Sequence, residues 1–102
     1  MHPLILIIGI LMLISGITHI SQIFVYGKKY YTILSAIAGM VYFVIGIFLF
    51  FQSQLVLWVG AIVPALGGLG GLYRYVKIQK SNFIIFHILV DIIVVSSCIY
   101  LL

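Results

Sequence analysis

The sequence predicts an all-α integral membrane protein, a bundle of four transmembrane helices connected by short loops. Hydrophobic residues make up 66% of the 102 residues and charged residues only 6%, whereas about 25% of the residues of an ordinary soluble domain are charged. Five basic side chains and one acidic side chain cannot cover the surface of a domain of this size. The composition therefore excludes both a soluble domain and a disordered chain.

Four apolar stretches of about twenty residues define the helices. They cover residues 4–26, 31–51, 55–73 and 83–102, and together they form a single transmembrane domain over residues 1–102. Each stretch has nearly the length that crosses a hydrocarbon core of about 30 Å. Because lipid offers the backbone no hydrogen-bond partner, each must be helical. The first stretch lacks the basic leader and the cleavage site of a signal peptide, so we expect it to remain in the mature protein.

Glycines recur seven residues apart in the first three helices. This spacing places both glycines of a pair on one face of a helix, where the absence of side chains lets two backbones approach closely. The sequence therefore predicts helix-packing positions at Gly9, Gly16, Gly39, Gly46, Gly60 and Gly67.

The third helix is the irregular one. Pro64 removes a backbone donor in its middle and predicts a kink. Three further glycines, Gly68, Gly70 and Gly71, follow within two turns. Such a segment favours a tightly packed, bent helix end, and the alternative is a hinge or a place where the backbone meets a ligand.

The basic residues set the expected orientation in the membrane. Lys28 and Lys29 separate the first two helices. Arg74, Lys77 and Lys80 separate the last two. Because loops rich in Lys and Arg stay in the cytoplasm, we expect both loops there and both termini on the other side of a cell or inner membrane. Five dispersed cations form no phosphate-binding face, so no nucleic-acid partner is expected.

The ionisable residues inside the apolar stretches are the candidate functional residues. Asp91, the only acidic residue, lies about 12 Å from the basic end of its helix, and His87 shares its helix face because it lies four residues earlier. His19 of the first helix lies about 10 Å from the same side. A charged group in hydrocarbon costs about 2.5–3.5 kcal/mol. We therefore expect Asp91 to face protein and to pair with a histidine, with nearby polar side chains or with another subunit.

Three functions remain open for this cluster of His19, His87 and Asp91. The preferred one is a polar contact between helices, which makes the protein a small non-catalytic accessory or assembly subunit of a larger membrane complex, such as a membrane-bound oxidoreductase or respiratory-type complex. The second is a homo-oligomeric, proton-linked small transporter or channel. The third is a membrane anchor for haem b or quinone, with His19 and His87 as the axial ligands of the haem. The expected partners are the lipid bilayer and other transmembrane subunits or copies of the chain.

Other site chemistry finds little support in the sequence. Cys98 is the single cysteine, and neither a Cys-x-x-Cys nor a His-x-x-x-His pattern occurs, so no metal site is predicted. The glycine-rich segment lacks the GK[ST] ending of a phosphate-binding loop. No nucleophile-elbow pattern occurs either, so we predict no catalytic residue, no enzymatic activity of the chain itself, and no cofactor besides the haem alternative.

Overall fold

The chain folds into four α-helices. The computed structural model describes residues 3–51, 53–78 and 80–102. The helices are α1 (Pro3–Tyr26), α2 (Tyr30–Leu49), α3 (Gln54–Lys77) and α4 (Asn82–Leu101). All four are long and apolar enough to cross a membrane, and this confirms the predicted all-α class and the number of such helices.

Local sequence explains where two of the helices begin. Gly27 has a positive φ of 80°, a conformation that glycine adopts without steric cost, and it lets the chain reverse after α1. The Thr32 hydroxyl then donates to the Gly27 carbonyl at 2.7 Å and accepts from the Lys29 amide at 2.8 Å. At the start of α4, the Ser81 hydroxyl accepts a hydrogen bond from the Phe83 amide at 3.2 Å, as an N-cap serine does.

The third helix is longer than hydropathy predicts. Hydropathy places its end at Tyr73, but the helix continues to Lys77, so that Arg74 lies on the helix and not in a loop. Pro64 is buried inside α3, and the helix runs on from it in both directions. The predicted kink at Pro64 stays a prediction.

The helices form two antiparallel hairpins, since α1 packs chiefly along α2 and α3 along α4. Smaller contacts between α1 and α4 and between α2 and α3 join the hairpins. The Tyr26 hydroxyl and the Ser81 hydroxyl are 2.6 Å apart, which places the α1–α2 and α3–α4 connections at the same end of the molecule. We call this the basic end, because Lys28, Lys29, Lys77 and Lys80 lie there.

Glycines bring α1 and α2 together. A Cβ atom added to Gly16 would lie 2.6 Å from the carbonyl oxygen of Gly39, and one added to Gly46 would lie 3.1 Å from the carbonyl oxygen of Gly9. The two backbones therefore touch at two levels, seven residues apart on each helix. In the other hairpin a Cβ atom at Gly60 would lie 2.9 Å from the Cys98 sulfur.

The apolar core lies toward the end opposite the basic end. It contains buried side chains from all four helices, namely Ile8, Met12, Tyr42, Ile45, Leu49, Leu57, Ala61, Val90, Val94 and Cys98. Large apolar side chains also cover the outside of every helix, for example Ile17, Leu34, Trp58, Leu66 and Ile92. An outer surface of this kind suits contact with the lipid bilayer.

Candidate functional site

His19 and His87 form a hydrogen-bonded contact between α1 and α4. His19 Nδ1 and His87 Nε2 are 3.1 Å apart, and the ring centroids are 3.6 Å apart with the ring planes nearly perpendicular. His87 Nε2 also lies 2.7 Å from the Thr18 hydroxyl oxygen, and His87 Nδ1 lies 3.4 Å from Gln22 Nε2.

A single tautomer of His87 satisfies all of these contacts. Its Nε2–H donates to the Thr18 hydroxyl, with His19 Nδ1 as a second acceptor, and its Nδ1 accepts from the Gln22 amide. The Thr18 hydroxyl in turn donates a hydrogen bond to the Ser15 carbonyl oxygen at 3.0 Å. The buried imidazole of His87 is therefore fully paired inside one chain, and it ties the first helix to the last.

Asp91 has different surroundings, although it lies only four residues after His87. Within the described part of the chain, no hydrogen bond joins Asp91 to either histidine, and its Oδ1 atom has no hydrogen-bond partner. The carboxylate faces α3 and α2 instead. A Cβ atom at Gly68 would lie 3.4 Å from Asp91 Oδ2, and the Tyr42 hydroxyl group of α2 interacts with the carboxylate.

Asp91 lines a cavity of about 460 Å³ between the two hairpins, in the half of the molecule nearer the basic end. The cavity exists because small residues replace bulky ones on its walls. Helix α3 presents Gly67, Gly70 and Gly71, and α2 presents Ser35 and Ala38. The polar and aromatic groups on its wall come from all four helices, namely His19, Gln22, Tyr30, Tyr31, Tyr42, Tyr73, Arg74, His87 and Asp91.

The two charged residues of the cavity lie at different depths. Arg74 is only 9% exposed, and its guanidinium carbon lies 4.8 Å from the centroid of the Tyr31 ring, within the range of a cation–π contact. Arg74 is six residues after Gly68, the neighbour of Asp91, which corresponds to about 9 Å along the helix. The cavity therefore has an acidic part deeper in the bundle and a basic, aromatic part nearer the basic end.

The structure brings six of the predicted site residues together around this cavity. His19, His87 and Asp91 all line the cavity, as do Gly67, Gly70 and Gly71. The packing glycines of the first hairpin, Gly9, Gly16, Gly39 and Gly46, lie away from it on the α1–α2 interface. Gly60 and Pro64 of α3 do not line this cavity either. Movement about the predicted hinge of Pro64, Gly68, Gly70 and Gly71 stays a prediction.

Sequence reasoning overlooked Tyr42. It is 1% exposed, its ring centroid lies 5.0 Å from that of His19, and a Cβ atom at Gly67 would collide with its hydroxyl group. Most of the other tyrosines flank the basic loops, where an interfacial belt is expected. A tyrosine in the middle of an apolar helix was the signal, because a buried phenol usually serves a polar partner.

The histidine geometry bears on the haem alternative. Two axial ligands hold the iron and its macrocycle between their rings, whereas the rings of His19 and His87 contact each other directly. They would have to separate for both to bind one haem. Among residues 3–51, 53–78 and 80–102, no three His, Cys, Asp or Glu side chains are placed to hold a metal ion.

Fold and site together define a class of molecule: a small all-α chain with four helices suited to a bilayer and a partly polar cavity between two hairpins. No protein-family model, curated protein or solved structure that was compared with the chain matches it.

Proposed function

We propose that this chain is a small membrane transport protein that binds its solute in the cavity between the two hairpins. The observation that carries this proposal is Asp91, the only acidic residue of the chain, which is buried in an apolar helix and lines that cavity. An ionisable group inside a membrane helix is costly, and it is retained chiefly where it serves a pathway or a ligand. Asp91 is accordingly the group that pairs with the solute or carries a coupled proton.

The size and wall of the cavity fit a small organic solute. Ligand sites in proteins have volumes of about 300–1,000 Å³, mostly apolar walls and a few placed polar groups. This cavity has about 460 Å³ and combines aliphatic walls, such as Leu34 and Ile88, with the polar groups described above. Its position between two loosely joined hairpins also gives a route for opening, because rigid-body movement of one helical unit against another is the usual basis of alternating access.

The two histidines have a structural role in this proposal. Their hydrogen bonds are made within the chain and hold α1 against α4. They form the fixed wall of the site, and the preferred interpretation of the sequence, a polar contact between helices, applies to them. It does not extend to Asp91, which makes no hydrogen bond to the histidines and whose Oδ1 atom has no partner among the described residues.

An accessory subunit of a larger membrane complex is the second candidate. The observation that favours it is the large apolar surface on all four helices, which suits partner helices as well as lipid. On this alternative the cavity is a seat for a side chain of the partner, and Asp91 pairs with that side chain.

One experiment separates the two candidates. The protein is extracted with its surrounding lipid, sized on a native gel and examined by native mass spectrometry. A transport protein is expected to migrate alone or with copies of itself, and to carry a small molecule. Migration with larger, unrelated subunits would favour the accessory role instead.

A pair of variants connects any bound molecule to the cavity. Gly70 lines the cavity, and a Cβ atom there meets nothing within 4 Å, so Gly70→Phe fills the cavity without striking the backbone. Leu66→Phe is the matched control, because Leu66 is exposed on the same helix and does not line the cavity. We expect Gly70→Phe to lose the bound molecule and Leu66→Phe to keep it. Equal retention by both variants would contradict the proposal.

A further inference from the structure

Two basic side chains from different parts of the chain lie over one aromatic ring at the basic end. The guanidinium carbon of Arg74, on α3, is 4.8 Å from the centroid of the Tyr31 ring. The ammonium nitrogen of Lys29, in the α1–α2 connection, is 5.7 Å from the same centroid. Both distances are within the range of cation–π contacts, so that one ring of α2 holds two positive charges as neighbours.

Two neighbouring cations favour an anion. The chain carries a net charge of +4 and supplies only one carboxylate, that of Asp91, which lies deeper in the bundle. An anion from outside the chain therefore relieves the repulsion between Lys29 and Arg74. Lys29 is exposed, so that such a group is able to reach it, and the guanidinium fork of an arginine matches the oxygen atoms of a carboxylate or a phosphate.

The cavity extends into the bundle from this pair of cations. Tyr31 and Arg74 line its part nearer the basic end, and Leu34 and Ile88 belong to its aliphatic wall. Gly67, which also lines it, is seven residues before Arg74, or about 10 Å along the helix. With C–C bonds of about 1.5 Å, this length suits an extended alkyl chain of about eight carbon atoms.

The cavity is only partly enclosed, and its open side lies between α2 and α3. Among the described residues, the contact between α2 and α3 is the smallest of those between neighbouring helices. Leu34 of α2 and Gly70 of α3 line the cavity and are nevertheless exposed. In a bilayer this side faces lipid, so that a molecule dissolved in the membrane has a direct way into the cavity.

We infer that the solute is a single-chain anionic amphiphile, with its anionic head beside Lys29, Tyr31 and Arg74 and its alkyl chain along the aliphatic wall of the cavity. The inference rests on the proposed function and names its substrate class. The head lies at the ends of the helices, which is the level of the anionic head groups of a bilayer, and basic pockets between membrane helices bind such groups.

Asp91 needs no contact with this solute. The residue is only 3% exposed, and it lies about 9 Å deeper along α3 than Arg74. A second negative charge in the same cavity would repel the anion. Of the two roles proposed for Asp91, an anionic solute therefore leaves that of the proton carrier.

Four probes separate the head from the tail. Octyl phosphate has both, octyltrimethylammonium has the chain with the opposite charge, octanol has the chain without charge, and inorganic phosphate has the charge without the chain. Binding of radiolabelled octyl phosphate to the full chain in a non-ionic detergent is measured by scintillation proximity, with the other probes as competitors. We expect each of the three to compete at least about ten-fold less well than unlabelled octyl phosphate, because each lacks the charged hydrogen bonds or the buried chain.

Variants of the two cations test the head of the site. Lys29→Gln and Arg74→Gln are each expected to weaken octyl phosphate by about ten-fold. Arg74→Lys keeps the charge and loses the fork, so that it should lie between Arg74→Gln and the wild type. Lys28→Gln is the matched control, because it removes the same charge at an exposed neighbouring position outside the cavity. It should change binding by less than about three-fold, since exposed charges contribute little.

Two further variants test where the tail lies. Gly70→Phe fills the cavity and is expected to weaken octyl phosphate by about ten-fold or more, whereas its control Leu66→Phe should bind as the wild type does. Asp91→Asn should bind within about three-fold of the wild type, because the carboxylate does not contact the solute. A ten-fold loss in Asp91→Asn would make Asp91 a contact of the solute and overturn the anionic class.

The remaining outcomes each overturn a recognisable part. Equal competition by octanol or octyltrimethylammonium would mean that the chain alone is recognised, and equal competition by inorganic phosphate would mean that the cavity holds no tail. Equal binding by Lys29→Gln and Lys28→Gln would remove Lys29 from the site and overturn the inference. Should Arg74→Gln not fold, these two variants, both at exposed positions, decide alone.

Failure of the inference is distinguishable from failure of the proposed function. If octyl phosphate does not bind while Gly70→Phe still displaces a native molecule, the amphiphile class is wrong and the proposed function stands. If Gly70→Phe displaces nothing and none of the probes binds, both proposals fail.

Discussion

The glycines of the first hairpin and the glycines of α3 have opposite effects on helix packing. At Gly16 and Gly39 two backbones meet so closely that a Cβ atom on Gly16 would lie 2.6 Å from the carbonyl oxygen of Gly39. At Gly70 a Cβ atom would meet nothing within 4 Å. The residue is the same, and what faces it decides the outcome. A glycine opposite a glycine allows contact, whereas glycines across from Ser35 and Ala38 leave a cavity.

The polar groups divide in the same manner. His87 has its hydrogen bonds inside the chain, and its partners belong to the tightly packed helix α1. Asp91, one turn further along α4, faces the open side and keeps an oxygen without a partner. Hydrogen bonds to α1 hold the side of α4 that carries His87, and Asp91 has none of them, so that mutations in the two regions should differ in sign and size.

The largest expected effect is at the glycine contact. Gly16→Ala should lower the free energy of unfolding by about 2 kcal/mol, because overpacking against backbone forces the helices apart. The backbone at Gly39 and Phe43 contacts the added methyl group and is unable to rotate away as a side chain would. The detergent-solubilised protein is titrated with a denaturing detergent, and its helix content is followed by circular dichroism. The transition gives the change in the free energy of unfolding. An unchanged transition would show that the α1–α2 contact is looser than described.

The next effect should come from the histidine contact. His87→Phe keeps an aromatic ring of similar size and removes the hydrogen bonds to Thr18, His19 and Gln22. We expect a loss of about 1–2 kcal/mol, because buried donors and acceptors on α1 are left unpaired. The same titration measures it, with the exposed Ser96→Ala as the control that should stay within about 0.5 kcal/mol of the wild type. Wild-type stability of His87→Phe would mean that the contact contributes little to holding α1 and α4 together.

The sequence determines the helices and the depth of the polar residues, because both follow from counting. A bilayer imposes the length of each helix, and a rise of 1.5 Å per residue gives the depth of His19, His87 and Asp91. Those residues do lie around one cavity. Of the partners expected for Asp91, neither histidine makes a hydrogen bond to it within the described chain, and a partner on another subunit stays a prediction.

Counting residues along the chain does not show which neighbouring helix each side chain faces. Residues four apart differ by about 40°, and in α4 this difference separates His87, which faces α1, from Asp91, which faces α2 and α3. The helix end at Lys77 was missed for a related reason. Hydropathy falls at Arg74, but the backbone hydrogen bonding of α3 continues, and the long arginine side chain lies over Tyr31. Partners of this kind depend on how each helix is rotated, which a single sequence leaves open.

A smaller effect of opposite sign is expected on the open side. Gly70→Ala should raise the free energy of unfolding by up to about 0.8 kcal/mol, because alanine has the higher helix propensity and its methyl group meets no atom within 4 Å. The comparison with Gly16→Ala uses the same substitution in both regions and the same unfolding titration. A clear destabilisation by Gly70→Ala would mean that the wall of the cavity closes on α3 in the membrane.

The smallest effect on stability should come from Asp91→Asn, and this is the sharpest test of the comparison. If Asp91 held helices together, loss of its charge would cost as much as the loss of the His87 contacts. Because Asp91 makes no hydrogen bond to either histidine and its Oδ1 atom has no partner among the described residues, we expect the free energy of unfolding to change by less than about 0.5 kcal/mol, the range of substitutions that touch no main structural contact. Removal of an intramembrane charge also lowers the cost of placing α4 in lipid. A destabilisation above about 1.5 kcal/mol would make Asp91 a structural residue, whereas wild-type stability with lost transport would leave it a functional residue on the open side of the bundle.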